Sequence, residues 1–213
     1  KLKIENQTFY VNETYNGKAN LTFNKLKSTF EYKTNKNFFE FKFFDKLENL
    51  KFEYNGLFSF KPFYSFINGK TNKLNLSYLF DTNAIISQLI KTEIFNNENI
   101  DFKLNIDAES ILNNPKFKSI KLKSKIQEGL IDIDKTKFIW NDSAKFNLEN
   151  SLIFVREGEL VLDGKLSIDI IDHNEIYKFL LTPKNYRDKI NKLDFNFTYN
   201  FDQKTANLKD IKI

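Results

Sequence analysis

Strict alternation of apolar and polar residues constrains this chain more than any other feature. It runs through Phe102, Leu104 and Ile106, then Ile120 and Leu122, Ile131 and Ile133, Phe146 and Leu148. It continues through Leu152 and Phe154, Leu160 and Leu162, and Leu166, Ile168 and Ile170. It is longest at Leu193, Phe195, Phe197, Tyr199 and Phe201. Successive side chains of a strand point to opposite faces, so this period gives each strand one dry and one wet face. A wet face favours antiparallel pairing, because parallel sheets are usually covered on both sides. The chain holds 24 Phe and 9 Tyr in 213 residues, and aromatic side chains suit a pleated, half-buried surface. The pattern predicts a mainly β fold.

Four dipeptides read as tight turns between such strands: Asn16-Gly17, Asn55-Gly56, Asn68-Gly69 and Asp163-Gly164. Glu128-Gly129 and Glu157-Gly158 are weaker signals. Their spacing predicts a meander of consecutive hairpins. The runs at 37–44 (NFFEFKFF) and 57–67 (LFSFKPFYSFI) carry Phe at successive as well as alternate positions. Either both strand faces are covered there, or one presents an apolar surface to a ligand. Pro62 reads as a bulge or an edge strand.

Two segments break the alternation. Over 83–95, Ile85, Ile86, Leu89, Ile90 and Ile94 fall on one helical stripe, with Asp81, Thr82 or Asn83 as candidate caps. Over 173–181, Ile176, Phe179 and Leu180 share a helical face, Asp172 is a candidate cap, and Thr182-Pro183 ends the helix. Both read as short amphipathic helices laid on a sheet. The expectation is one continuous β domain over 1–213, with a sub-boundary near 82–96. The absence of Met points to a fragment of a larger protein.

The chemistry-bearing residues are sparse. Without Cys there are no disulfides, thiol nucleophiles or thiolate metal sites. The single His, His173, supplies neither a catalytic triad nor a His-rich metal site. Asp132 and Asp134, or Asp169 and Asp172, are acid pairs of a type that binds divalent cations. Asp132 and Asp134 alternate with Ile131 and Ile133, which places them on a wet face where acids belong anyway. No phosphate-loop, nucleophile-elbow or zinc-helix motif occurs. No catalytic residue, metal or cofactor is expected. The net charge of +5 is spread over 33 basic and 28 acidic residues without a cluster, so no nucleic-acid partner is expected. Trp140 follows Phe138 in register and reads as core or as the wall of a groove. The six Asn-x-Ser/Thr sequons follow from the abundance of Asn.

An alternating β surface has two physical outcomes. Two sheets close face to face into a sandwich, or one long curved sheet leaves its dry face as a trough suited to acyl chains. The cadence Gly129, Ile131, Ile133, followed by Gly158, Leu160, Leu162, Gly164, Leu166, Ile168 and a short helix, resembles the C-terminal region of the AsmA-like family. That family comprises TamB-type proteins of the Gram-negative envelope. The resemblance covers roughly the last 120 residues; the first 80 agree only in β character. It implies a periplasmic protein held at the inner membrane by an N-terminal helix outside this chain. It also implies a long curved antiparallel meander with a lipid-binding β-groove, phospholipid transport in outer-membrane biogenesis, and envelope protein partners. It carries over no enzymatic residues. The lipid-facing candidates are Ile120, Leu122, Ile131, Ile133, Phe154, Leu160, Leu162, Leu166, Ile168, Phe195 and Phe197. The rival expectation is a structural or protein-interaction module, a scaffold or adhesin with a closed sandwich core.

Overall fold

A computed structural model describes residues 2–23, 26–46, 51–76, 84–97 and 99–213. The chain pairs as a meander: β1 (Leu2–Val11), β2 (Thr14–Phe23), β3 (Leu26–Thr34), β4 (Phe38–Lys46), β5 (Lys51–Phe60) and β6 (Phe63–Leu74). Helix α1 (Ile85–Lys91) precedes β7 (Asp101–Ile111), β8 (Asn114–Gln127), β9 (Leu130–Asp132), β10 (Lys137–Trp140), β11 (Ala144–Arg156) and β12 (Glu159–Ile170). Helix α2 (His173–Phe179) precedes β13 (Lys192–Asn200) and β14 (Thr205–Lys212). The fourteen strands of the described residues belong to one sheet, which runs from β1 at one edge to β14 at the other. The order runs from edge to edge without closing, so the strands form one open sheet and not a closed barrel. Neighbouring strands are antiparallel throughout, except for β6 and β7.

That exception has a structural consequence. Parallel neighbours cannot be joined by a hairpin, so the chain must cross from one end of the strands to the other. The crossover carries α1, which packs on β11 and β12. Ile90 is buried there among Ile131, Ile133, Leu148, Ile153 and Leu160, with Phe95 alongside. The helix is shorter than the alternation break suggests, and Leu89 and Ile94 are exposed rather than on a buried stripe. Ala84 occupies the cap position without a side-chain bond. The candidate caps Asp81, Thr82 and Asn83, and the side chains of Ile85 and Ile86, lie outside the described residues. Lys91 pairs with Asp202, whose other oxygen accepts the Leu160 N–H at 2.8 Å. One carboxylate thus ties α1 to β12 and to the β13–β14 turn. The Lys91 ammonium first, and the Leu160 N–H second, hold the Asp202 carboxyl below the usual aspartate value.

The glycine turn signals are inverted. Gly17, Gly56, Gly69 and Gly164 all lie inside strands, opposite Tyr32, Phe41, Tyr54 and Phe197. A Cβ on Gly69 would stand 2.4 Å from the Tyr54 ring, and one on Gly56 would stand 2.7 Å from both the Phe41 ring and the Phe66 carbonyl oxygen. Gly17, Gly56 and Gly69 are sockets covered by a neighbouring ring, whereas the space at Gly164 is taken by Ser151; the Xaa-Gly turn rule does not separate such a role from φ > 0. The weaker signals are the real turns: Glu128-Gly129 and Glu157-Gly158 have positive φ at both residues. Elsewhere Asn12-Glu13 and Asn141-Asp142 adopt the left-handed conformation. Pro62 lies in the β5–β6 turn, so 57–67 is the facing ends of two strands and not one interrupted strand.

β9 and β10 are two short strands that share one lane between β8 and β11. Side chains bridge the break between them. Asp134 Oδ1 accepts the Ser151 N–H at 2.6 Å, Asp132 Oδ1 accepts the Asp134 N–H at 2.7 Å, and Thr136 Oγ1 bonds both the N–H and the carbonyl of Lys123. The acid pair is thus engaged with backbone amides at an irregularity in the sheet. Asp172 caps α2 by accepting from the N–H groups of Asn174 and Glu175, as its sequence position predicts. The helical face predicted behind it is not buried: Tyr177 turns inward, while Phe179 and Leu180 stand in solvent. Trp140 is buried, and the Phe179 ring meets it edge-on at 4.8 Å.

Candidate functional site

The register joins the dry faces of the strands into one surface. A first row of cross-strand partners runs Ala19, Phe30, Phe43, Tyr54, Gly69, Ile106, Leu122 from β2 to β8. A second runs Phe58, Ser65, Phe102, Ile126, Ile131, Ile153, Leu162, Tyr199, Ala206 from β5 to β14. The parallel junction between β6 and β7 does not interrupt either row. With strands about 4.8 Å apart, a path of thirteen neighbours spans about 60 Å.

The opposite face is polar and laced with ion pairs, including Lys18–Glu31 at 2.9 Å, Lys42–Glu53 at 3.1 Å and Lys165–Glu149 at 3.0 Å. The last pair lowers the Glu149 pKa and raises that of Lys165. Phe38, Phe44 and Tyr64 fall on this face. Lys33, Lys42 and Lys103 place their ammonium groups 5.2–6.0 Å from those ring centres. Lysine stems can cover such rings while the charges stay in water. Phe at successive positions of 37–44 is thereby explained, since both faces of β4 are occupied by aromatics and only the polar face has charged cover.

Along the apolar face the floor changes character. In β3–β5 it is a continuous aromatic array. Phe30 lies 5.7 Å from Phe41 and 6.0 Å from Phe43, Phe41 lies 6.0 Å from Phe58, and Phe43 lies 4.9 Å from Phe52. All five rings are half-buried. Tyr32 reaches across Gly17 to bring its hydroxyl within 2.8 Å of the Thr8 hydroxyl on β1. Burial against the array raises the Tyr54 pKa. From β7 onward the floor is mainly aliphatic, with rings such as Phe102, Phe138, Phe146, Phe195 and Phe197 among the Ile and Leu side chains, and much of it is sealed. Ile106, Ala108, Ile120, Leu122 and Leu74 form one buried cluster, and the residues beneath α1 form another.

The sequence-predicted residues divide accordingly. Ile120, Leu122, Ile131, Ile133, Leu160, Leu162, Leu166, Ile168, Phe195 and Phe197 lie on the apolar face. Ile120, Leu122, Ile131, Ile133 and Leu160 are buried, and Leu160, at 0% exposure beneath α1, has no surface to offer a ligand. Leu162, Leu166, Ile168, Phe195 and Phe197 are half-buried. Phe154 is a correction. Between the pairs Glu149–Lys165 and Leu152–Asp163, three steps of β11 oppose two of β12. This bulge at Asn150 and Ser151 moves Leu152 and Phe154 to the polar face, where Arg156 stacks 5.1 Å from the Phe154 ring, and turns Ile153 and Val155 inward. The aromatic array of β3–β5 was absent from the predicted set. Its signal was present in the Phe-rich runs, but the face each Phe occupies depended on register.

Among the described residues no group of three or more His, Cys, Asp or Glu side chains is arranged to hold a metal. No described helix is long and apolar enough to cross a membrane. Comparison with known proteins gives no match: no family model fits the chain, and no curated protein or solved structure matches it.

Proposed function

We propose that this protein is a non-enzymatic lipid-binding segment whose apolar face shelters phospholipid acyl chains while head groups remain in water. The observation that carries this reading is the continuous apolar face of an open sheet, with no covering layer over the aromatic array of β3–β5 among the described residues. Acyl chains require contact area and no hydrogen bonds, and a floor of half-buried rings supplies that. The resemblance to AsmA-like proteins supports the same reading and suggests a periplasmic setting, a membrane anchor outside the chain, and a part in phospholipid transport to the outer membrane. The array near Phe30, Phe41 and Phe58 is the favoured site. The sealed β7–β12 region holds the sheet together.

Native mass spectrometry of the purified chain, together with organic extraction, tests this. Co-purifying phospholipid, diminished in Phe41→Glu, is the expected result. A lipid-free chain that also fails to take up added phospholipid overturns it. A second reading, a scaffold that adds partner strands, is favoured by one feature. β1 and β14 have a neighbour on one side only, and β1 exposes Ile4, Phe9, Tyr10 and Val11.

A further inference from the structure

The segment that joins β12 to β13 exposes an unusual run of large apolar side chains. Phe179 and Leu180 are each 62% exposed, Leu181 is 86% exposed, Tyr186 is 70% exposed, and Ile171, before the start of α2, is 52% exposed. The first three are consecutive at the end of α2, so they fan outward as a convex wedge and form no flat patch. The backbone contributes to this display. The Thr182 N–H bonds the Tyr177 carbonyl and the Leu181 N–H bonds the Lys178 carbonyl, which closes the helix in a Schellman motif. That motif needs a left-handed residue and usually takes Gly, but here the residue is Leu181 at φ 53°. A leucine held in a strained conformation and pointed into water is the kind of outlier that accompanies function. From Lys178 to Asn191 the segment holds four basic residues (Lys178, Lys184, Arg187 and Lys189) and one acid, Asp188. The acids at the other end are engaged locally: Asp172 caps α2, and Glu175 accepts from Asn141 at 3.2 Å.

We infer that this wedge docks the protein on an anionic phospholipid bilayer. Phe179, Leu180 and Leu181 enter the acyl boundary, Tyr186 lies at head-group level, and Lys184, Arg187 and Lys189 meet the phosphates. A convex apolar tip fits a deformable lipid layer better than a rigid protein surface, and the basic collar matches a negative interface. The wedge is anchored firmly enough to act as a foot. Ile171 and Asp172 both donate backbone N–H groups to the Ser143 carbonyl, and Phe179 leans on buried Trp140. Docking does not require acyl chains to enter the sheet's apolar face, so the two proposals can fail separately.

Co-sedimentation of the purified chain with vesicles of phosphatidylcholine mixed with phosphatidylglycerol tests the inference at low ionic strength. The chain is expected to bind, and Trp140, the only tryptophan, is expected to change its emission on vesicle addition. The combined Phe179→Ser, Leu180→Ser and Leu181→Ser variant should lose affinity by about tenfold or more. Lys184→Glu with Lys189→Glu should lose affinity for the mixed vesicles and leave binding to pure phosphatidylcholine unchanged. Leu181→Gly relieves the backbone strain, so its Tm should rise while its vesicle affinity falls, a divergence that loss of folding cannot produce. Absence of binding by the unaltered chain, or binding by the triple variant equal to it, overturns the inference. So does self-association that the triple variant abolishes without any vesicle binding, which would make the wedge a protein contact.

Discussion

The two halves of the sheet bury the same alternation in different ways. In β2–β6 the apolar face is aromatic, and its rings cover one another and the strand-interior glycines: Tyr32 lies over Gly17, Phe41 over Gly56 and Tyr54 over Gly69. In β7–β13 the face is mainly Ile, Leu and Val, and α1 lies on part of it. Rings stacked about 6 Å apart shield each other laterally, so the surface remains half-buried without a second layer among the described residues. Branched aliphatic side chains are shorter and cannot bend over their neighbours, so they need cover. The parallel β6–β7 junction supplies it over β11 and β12, because the crossover that such a junction demands delivers α1 there. One half therefore offers an accessible apolar surface, and the other offers rigidity.

The largest effect that separates the halves is expected under α1. Leu160→Ala should destabilise the protein by about 3 kcal/mol in urea unfolding, because Leu160 is fully buried between α1 and the sheet. A loss below about 1 kcal/mol would show that α1 does not seal this half. Gly56→Ala comes next, at about 1–3 kcal/mol. Its new Cβ meets the Phe66 carbonyl oxygen, which belongs to the backbone and cannot swing away. An unchanged midpoint would refute the socket. Phe41→Ala should cost about 1–2 kcal/mol, since its ring is only half-buried, but it should reduce phospholipid recovery more than Leu160→Ala does. The opposite ranking of the two variants in lipid recovery would place the binding surface in the aliphatic half.

The smallest effect is a pH dependence. The Lys91 ammonium and the Leu160 N–H hold the Asp202 pKa down in the folded state, so the unfolded chain takes up the proton more readily. This stabilisation is fully present above about pH 4 and is lost as pH falls through the depressed folded-state value. In Asp202→Asn the acid limb of a stability-against-pH curve should flatten below the usual aspartate value. A limb identical to the parent's would show that Asp202 does not clamp α1.

Much of this was readable from residues alone. The longest alternation, Leu193 to Phe201, keeps its apolar set on one face, and Asp172 caps the helix it precedes. Phe154 was misplaced because alternation carries no information across a bulge, and one extra residue at Asn150 and Ser151 reverses every side chain beyond it. Gly17, Gly56 and Gly69 read as turns because an Asn-Gly pair suits a left-handed bend, and nothing local announces that a ring from the next strand will lie above it. The aromatic array was legible as composition and invisible as a surface, since Phe38 and Phe39 differ only in which face the register gives them.

By itself the sequence determined that these segments are strands, that most have one dry face, and that the fold is mainly β with two helical interruptions. Those are local matters of period, propensity and capping. Only the tertiary structure decided that the sheet stays open, that β6 and β7 run parallel, that α1 covers the aliphatic face at β11 and β12, and that Phe179, Leu180 and Leu181 remain in water. Pairing partners and cover come from residues far apart in the chain, and alternation is the same whether the dry face meets a helix, a lipid or a second sheet.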